Sequence, residues 1–474
     1  MRRLGTPGRQ LVLAALLTAC AACTDGGPSA QPGATPPPGA TGDIIVASGR
    51  DVTGNGGVRR QLIDAWNAEQ DRRHTGRHAR IVELPGSADE QRSQLLGALQ
   101  SDSAQYDVVN LDVTWVPEFA AARLIRPLPG KLVDDDIIKS VAGTARWGGE
   151  VFAVPFNSDV GLLYYRRDYL DRAGVQNSDL SKGLSWGRLQ ELMETLGEKT
   201  GKDRPDGYEK GWTAQFGAYE GRTVNAVEAF ASAPEGVPLT DGDGRYTASV
   251  QDLENGLAEL RNRTQTSYLL KDALHSDEAE TLTDFADGRT AFLRHWPYAY
   301  GTLHQSLSGA RLGVAPLPGS AVLGGQNLAL TRSSGRQDAA QDLIEFLTGK
   351  ESERCLLDAG FAATRVSAYA DDDVTCRSAK SPGAVTSSGT PSASASGESA
   401  DRMPRDKYGR PAYAHDILLL ALTRAVSRPR TPLYGAFTQT FTTELGKLFT
   451  DDPPSDAALA RDLDKALRGV LPDG

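Results

Sequence analysis

The sequence lacks several features that would identify other classes of protein. No segment is long and apolar enough to make a multi-span membrane protein. No run of Lys or Arg occurs and the formal net charge is −10. This argues against a non-specific nucleic-acid binder, because neutralising phosphates requires a basic face. There is also no His-Glu-x-x-His motif and no P-loop, so the sequence gives no indication of an enzyme by either route.

What remains is the composition of an ordinary globular protein. The chain has 474 residues, of which 39% are hydrophobic and 24% are charged. This excludes collagen, a coiled coil and a wholly disordered chain. At about 150 residues per domain, the length predicts two or three domains.

The first residues predict export. Arg2, Arg3 and Arg9 precede the apolar run Leu11 to Ala19, which is too short to span a bilayer, so residues 1–19 are typical of a signal peptide. Leu17-Thr18-Ala19-Cys20 resembles the lipobox of bacterial lipoproteins, which indicates lipidation of Cys20. Two alternatives stay open: Cys23 could be the lipidated residue, or the segment could be a plain secretory signal.

A tether is predicted after the signal. Residues 20–42 are rich in Pro and Gly and lack large apolar side chains, so they cannot bury enough surface to fold. A lipid anchor followed by a tether predicts a folded body at the outer face of the cytoplasmic membrane. Residues 378–403 are Ser-rich and predict a flexible surface insertion.

The body begins with alternating strands and helices. Apolar runs at 43–48, 80–84 and 106–111 predict strands, and helical periodicity over 58–70 predicts a helix. Ser87 and Glu90 form a capping-box pattern before a second helix. This rhythm predicts an α/β lobe with a mainly parallel sheet, where ligands sit beyond the carboxyl ends of strands.

Two cysteines lie far from the predicted signal peptide in the sequence. Cys355 and Cys376 are a single pair in a domain predicted to be exported, so a disulfide is plausible, although two free thiols stay possible. Their spacing fits no zinc site, and neither a metal nor a cofactor is predicted. His295 is an isolated histidine, for which a structural role or a solvent-facing position is expected.

The chain resembles the solute-binding lipoproteins of carbohydrate ABC importers, which include maltose- and trehalose-binding proteins. The stretches that carry the resemblance are YDVVNLDVTWVPEFAAARLIRPL at 106–128, VPFNSDVGLLYYRRDYLDRAG at 154–174, FADGRTAFLRHWPYAYG at 285–301, LGGQNLALTRSSGRQDAAQDLIEFLTGKESE at 323–353 and RPRTPLYGAF at 428–437.

The resemblance implies a two-lobed α/β fold with a hinge of several chain crossings and a ligand cleft between the lobes. Lobe one would comprise 43–156 and 286–320, and lobe two would comprise 157–285 and 321–474. The protein would be a monomer and not an enzyme. Its partners would be a sugar and the permease subunits of an importer with a cytoplasmic ATPase.

A sugar cleft needs hydroxyl acceptors and aromatic platforms. Asp112 and Trp115 follow a strand end, with capping and core packing as their alternatives. Asn157 and Asp159 lie in the stretch PFNSD, where a turn is predicted and Asn and Asp also favour a turn on their own. Trp296 is a candidate platform, although it could serve lobe packing, and the same holds for Tyr298.

Backbone and arginine donors complete the predicted site. Gly324 and Gly325 would let backbone N–H groups approach a ligand, unless they only form a turn. Arg365 and Arg430 are candidates to reach across the cleft and donate two hydrogen bonds from one guanidinium to the ligand. Most arginines, however, are solvated surface charges.

The predicted function is capture of a di- or oligosaccharide such as an α-glucoside and its delivery to a permease. Two alternatives stay open at this point. One is a secreted glycan hydrolase, and the other is a binding protein for a non-sugar solute such as a polyamine or a peptide.

Overall fold

The structure is a computed structural model that describes residues 40–50, 57–101, 105–199, 203–377 and 402–474. The predicted signal peptide at 1–19, Cys20, Cys23, the tether up to residue 39 and residues 378–401 of the Ser-rich segment lie outside the described residues. The strands are β1 (Ile44–Gly49), β2 (Ala79–Leu84), β3 (Val108–Asp112), β4 (Arg146–Trp147), β5 (Glu150–Val151), β6 (Val154–Val160), β7 (Leu162–Arg166), β8 (Lys210–Thr213), β9 (Thr290–His295), β10 (Leu312–Pro316) and β11 (Leu323–Leu330).

The helices alternate with these strands. They are α1 (Val58–Arg72), α2 (Ala88–Gln100), α3 (Val116–Ala121), α4 (Lys139–Ala142), α5 (Arg167–Arg172), α6 (Trp186–Gly197), α7 (Glu220–Ser232), α8 (Val250–Arg263), α9 (Glu278–Ala286), α10 (Ala299–Leu303), α11 (Gln337–Leu347), α12 (Lys350–Asp358), α13 (Val366–Ala370), α14 (Leu419–Arg424), α15 (Tyr434–Leu445) and α16 (Asp456–Arg468). A π-helical turn at Ala414–Leu418 leads into α14.

The first sheet has five strands in the order β2-β1-β3-β11-β6. β1 pairs in parallel with β2 and β3, while β11 runs antiparallel to β3 and β6. The predicted strands, the first helix and the capping box at Ser87 and Glu90 are confirmed. The prediction of a mainly parallel sheet is wrong, because β11 is antiparallel to both of its neighbours and the sheet is mixed. Because β1 and β3 are parallel, their carboxyl ends meet at one edge of the sheet.

The second sheet has four strands in the order β10-β7-β9-β8. β7 lies between β10 and β9 and is antiparallel to both. Helices α7, α8, α15 and α16 pack against one another in this lobe. The predicted two-lobed α/β fold is therefore confirmed.

The predicted assignment of residues to the two lobes differs from the strands found in each sheet. Residues 286–320 supply β9 and β10 to the second sheet, because both pair with β7, and β11 joins the first sheet between β3 and β6.

The stretch PFNSD is not a turn, in contrast to the prediction. It forms part of β6, and the chain leaves the first sheet only after Val160.

In the described parts of the chain, three segments join the lobes. The chain crosses at Gly161 between β6 and β7, again between β10 and β11, and again between α14 and α15. The last crossing connects a helix that contacts β6 and α4 to one that contacts α7.

A disulfide joins Cys355 of α12 to Cys376. The two residues are separated by 21 positions, and Cys355 is buried against the first lobe. A cross-link of this length removes conformational freedom from the unfolded chain.

Replacing both cysteines by alanine should lower the free energy of unfolding by about 3 kcal/mol, because a loop of this size loses about that much closure entropy when cross-linked. Denaturant unfolding under oxidising conditions measures the change. Reductant should destabilise the wild type by a similar amount and leave the double variant unaffected. An equal response of both proteins would contradict the role of the disulfide.

Candidate functional site

A polar cluster lies at the edge of the first sheet where β1 and β3 end. The guanidinium of Arg59 donates to Ser48 Oγ at 3.1 Å, to Asn157 Oδ1 at 3.1 Å and to Gln326 Oε1 at 2.8 Å. The side-chain amide of Asn110 also donates to Gln326 Oε1, at 2.8 Å. These bonds tie four strands and α1 together, so they form a fixed polar floor.

Asp112 ends β3 beside this floor. Its Oδ1 accepts hydrogen bonds from the backbone N–H of Thr114 at 2.9 Å and from Thr114 Oγ at 2.7 Å. The same oxygen accepts from Arg428 Nη2 at 2.9 Å. Asp112 is only partly buried, and it is not the N-cap of α3, because that helix begins after Trp115.

Arg428 joins the two lobes. Its Nη2 donates to Asp112 of the first sheet, and its Nη1 donates to Glu220 Oε1 at 2.6 Å, at the start of α7 in the second lobe. Burial alone would lower the pKa of Arg428, but Asp112 and Glu220 raise it well above its usual range. The guanidinium therefore remains charged and carries a carboxylate on each side.

Asp159 has a carboxylate oxygen that is buried without a hydrogen-bond partner. It lies in β6 opposite Gly324 of β11, and no hydrogen bond to its carboxylate forms within the described residues, although Oδ1 is buried. Burial raises the pKa of Asp159 to about 7, while the nearby Arg59 opposes the rise. A hydroxyl donor from a ligand would satisfy this carboxylate.

Trp296 packs beside Asp159 at the crossing between the sheets. The Arg294 guanidinium lies 3.9 Å from the centre of the indole ring, and Trp296 Nε1 donates to Glu278 Oε1 at 3.2 Å. The ring is half-buried. Its orientation is fixed while part of its surface stays open, as a platform for a sugar ring requires.

The paired glycines allow close packing at this point. A Cβ on Gly324 would lie 3.1 Å from Trp296 Cζ3. Gly325 has φ +106°, and a Cβ there would lie 2.4 Å from the carbonyl oxygen of Asn157. The backbone of β11 can therefore approach β6 at Gly325 only because this residue is glycine, and Gly324 leaves room for the indole of Trp296.

His295 and Tyr298 flank the tryptophan. Burial lowers the pKa of His295 to about 4, and its Nε2 lies 3.0 Å from the carbonyl oxygen of Glu278. The neutral imidazole packs edge-on against the ring of Tyr298, with 5.1 Å between centroids. Tyr298 is half-buried, so it stays a candidate contact, whereas His295 has a structural environment.

Three predicted residues have other roles. Trp115 is 5% exposed in the hydrophobic core, which favours the packing interpretation. The prediction that Arg365 reaches across the cleft is wrong, because its guanidinium is held by Asp134 at 2.8 Å and by the carbonyl oxygen of Thr348 at 2.7 Å. Arg430 does cross between the lobes, but it donates to the carbonyl oxygen of Arg146.

The structure also places residues that the sequence analysis missed. Arg428 stands two positions before Arg430 in the stretch RPRTPLYGAF, so the segment was identified but not the residue. Arg59 and Gln326 flank Gly-rich segments, which was the only available signal. Glu220 carries no local sequence signal, because its partners come from distant parts of the chain.

One pattern in the sequence matches Gly-x-Ser-x-Gly, at residues 183–187. In hydrolases with this motif, a serine nucleophile sits on a sharp turn between a strand and a helix. Here Ser185 is the N-cap of α6 and accepts from the backbone N–H of Arg188 at 3.1 Å. The pattern is therefore a helix start.

Two searches of the described residues were negative. No helix in the described ranges combines the length and the apolar character needed to cross a bilayer. Among the same residues, no three His, Cys, Asp or Glu side chains lie together as metal ligands would.

Comparison with known proteins gives concordant matches. The family model described as bacterial extracellular solute-binding protein matches residues 61–382. A probable ABC transporter-binding protein of Deinococcus radiodurans is 29% identical over 66% of this chain and 73% of its own length.

Solved structures match over most of the chain. Maltose-bound MalE3 of T. maritima superposes with a TM-score of 0.70 at 21% identity, covering 90% of this chain and 100% of that one. The GacH receptor of Streptomyces glaucescens gives a TM-score of 0.66 at 19% identity, covering 91% and 99%. At these identities the likeness establishes the fold alone.

The raised pKa of Asp159 predicts a pH-dependent stability. Above the unfolded pKa of about 4, the unfolded chain releases a proton that the folded protein retains up to about pH 7, so stability falls as pH rises through this window. Asp159→Asn removes this dependence and should melt at a higher temperature than the wild type at about pH 8, with the gap closing towards pH 4.

Thermal unfolding across this pH range measures the effect. Asp64 is exposed on α1, so Asp64→Asn is the matched control and should follow the wild type. A gap between Asp159→Asn and the wild type that widens as the pH falls would contradict the assignment.

Proposed function

The chain belongs to the family of bacterial extracellular solute-binding proteins, and we propose from this premise that it captures a sugar for an ABC importer. The observation that carries the proposal is the unsatisfied carboxylate of Asp159 beside the fixed, half-open indole of Trp296. A sugar offers a hydroxyl to the first and a C–H face to the second.

The charges of the site favour a neutral solute. Asp112 is already paired with Arg428, and Arg294 is paired with Glu228 at 2.6 Å. A polyamine would need several unpaired carboxylates, and a peptide would need free groups of both signs. A polyol needs acceptors for its hydroxyl groups, which the carboxylates of Asp112 and Asp159 would supply.

The solute that fits best is a di- or oligosaccharide such as an α-glucoside. Maltose and acarbose are the solutes named for the two solved structures described above, and this supports the choice. The lobes would close on the sugar, and the monomeric protein would deliver it to the permease subunits. The chemistry of transport would belong to the partner ATPase, and this chain would not act as an enzyme.

Attachment at the outer face of the cytoplasmic membrane is part of the proposal. The lipobox-like stretch at 17–20 and the Pro/Gly-rich residues that follow support it. The anchor would hold the protein close to its permease while the tether lets it turn.

A thermal-shift screen tests the sugar class. Trehalose, maltose, cellobiose, a monosaccharide, a polyamine and a short peptide form the panel. A ligand at roughly 100 times its dissociation constant stabilises the fold by about 2.7 kcal/mol, and a disaccharide recovered chemically unchanged should give this shift. Cleavage of a glycan or a shift with the polyamine alone would overturn the proposal.

Trp296→Ala should weaken binding of that sugar at least tenfold, or about 1.4 kcal/mol, because the platform is lost while the hydroxyl partners remain. Isothermal titration calorimetry measures the dissociation constant. Trp186 is half-buried against Trp212 in the second lobe, so Trp186→Ala is the control and should bind normally. Full affinity in Trp296→Ala would remove the ring from the site.

Cys20→Ser should release the protein from the membrane fraction, because the acceptor of the lipid is lost. Fractionation of expressing bacteria, with metabolic labelling by a fatty acid, measures the anchor. Cys23→Ser is the matched control and should stay attached. Lipidation of Cys20→Ser would show that Cys23 is the acceptor instead.

A further inference from the structure

Glu220 holds the arginine that joins the two lobes. We infer that Glu220 is a positioning residue of the sugar site, which fixes the enclosed guanidinium of Arg428 and, through it, the partly exposed carboxylate of Asp112 that would meet the ligand. The inference rests on the proposed function, and it adds a residue that touches Arg428 but stands behind it.

The carboxylate of Glu220 is held by three hydrogen-bond donors. Its Oε1 accepts from Arg428 Nη1 at 2.6 Å and from the hydroxyl of Tyr434, and its Oε2 accepts from Thr438 Oγ at 2.7 Å. Tyr434 and Thr438 are four residues apart on α15, so they face the same side of that helix. Three donors on a buried carboxylate leave it little freedom to rotate.

The hydroxyl chain behind Glu220 has one direction. Thr438 has one hydroxyl hydrogen, which it donates to Glu220, so the 2.7 Å contact with Thr223 must be donated by Thr223. The 2.9 Å contact between Thr223 and Thr442 must then be donated by Thr442. All three hydroxyls point towards the carboxylate, and each bond strengthens the next.

Asp112 and Glu220 hold Arg428 from opposite lobes. Asp112 belongs to the first sheet, whereas Glu220, Tyr434 and Thr438 all belong to the second lobe. Arg428 Nη2 already donates to both oxygens of Asp112, at 2.9 Å and 3.2 Å. Without Glu220, Asp112 would be the only carboxylate bonded to Arg428 among the described residues, and the guanidinium would lose the partner that holds it from the side of the second lobe.

The electrostatics agree with this geometry. Burial raises the pKa of Glu220, and the positive charge of Arg428 opposes that rise. Arg428 is fully enclosed, so its charge depends on partners held at fixed positions. A neutral amide in place of Glu220 would keep the volume but would remove one of the two charges that hold the guanidinium.

The test compares Glu220→Gln with a matched substitution elsewhere. Glu353 is a fully buried carboxylate in the first lobe that accepts from the backbone N–H of Thr364 at 2.6 Å. Glu353→Gln therefore makes the same chemical change far from Arg428. Thermal unfolding of both variants shows that each is folded.

The first measurement needs no ligand. In protein labelled with ¹⁵N-arginine, hindered rotation of the Arg428 guanidinium should give resolved Nη signals, assigned by their loss in Arg428→Lys. We expect Glu220→Gln to broaden or merge these signals and Glu353→Gln to leave them unchanged. Unchanged Arg428 signals in folded Glu220→Gln would overturn the inference, whether or not a sugar binds.

The second measurement is the dissociation constant for the sugar found in the screen. Glu220→Gln should raise it at least tenfold, and Glu353→Gln should change it less than twofold. Altered Arg428 signals with unchanged affinity would make Glu220 a purely structural residue and overturn its positioning role. If the wild type binds no sugar, the proposed function fails, and the ligand-free measurement still decides whether Glu220 fixes Arg428.

Discussion

A buried arginine between two carboxylates is the constraint on which the site depends. The guanidinium of Arg428 is enclosed, so its hydration must be replaced by charged acceptors at hydrogen-bond distance. Asp112 ends a strand of the first sheet, and Glu220 begins a helix of the second lobe. Pairing with both requires the sheet edge, α7 and the segment before α15 to meet at one point, which places the lobes against each other around the site.

Asp159 lies near this pairing but has no hydrogen-bond partner for its carboxylate among the described residues. Its desolvation is unfavourable in the ligand-free fold, as the pKa of about 7 indicates. A group that destabilises the empty protein and is satisfied by a ligand gains its full bonding only in the complex. At the proposed site, the same carboxylate would weaken the fold and strengthen binding, which is the usual conflict between stability and function at a binding site.

The sequence predicts much of the local structure and part of the site. Asp112 is located by the end of an apolar run, and Asp159 and Trp296 by the stretches that resemble other solute-binding proteins. Such patterns can be recognised from neighbouring residues alone. The sequence did not predict that β9 and β10 belong to the second sheet and β11 to the first. Sheet order depends on pairing between segments that are distant in the sequence. Arg428 and Glu220 are 208 positions apart, and nothing local distinguishes Arg428 from Arg430.

The position of the site also links binding to movement of the lobes. Asp159 lies just before the crossing at Gly161, Gly324 lies just after the crossing between β10 and β11, and Arg428 lies in the third crossing. At the proposed site, a ligand held by these residues would touch each of these three crossings. Its contacts would then favour one arrangement of the lobes, which would couple capture of the solute to closure.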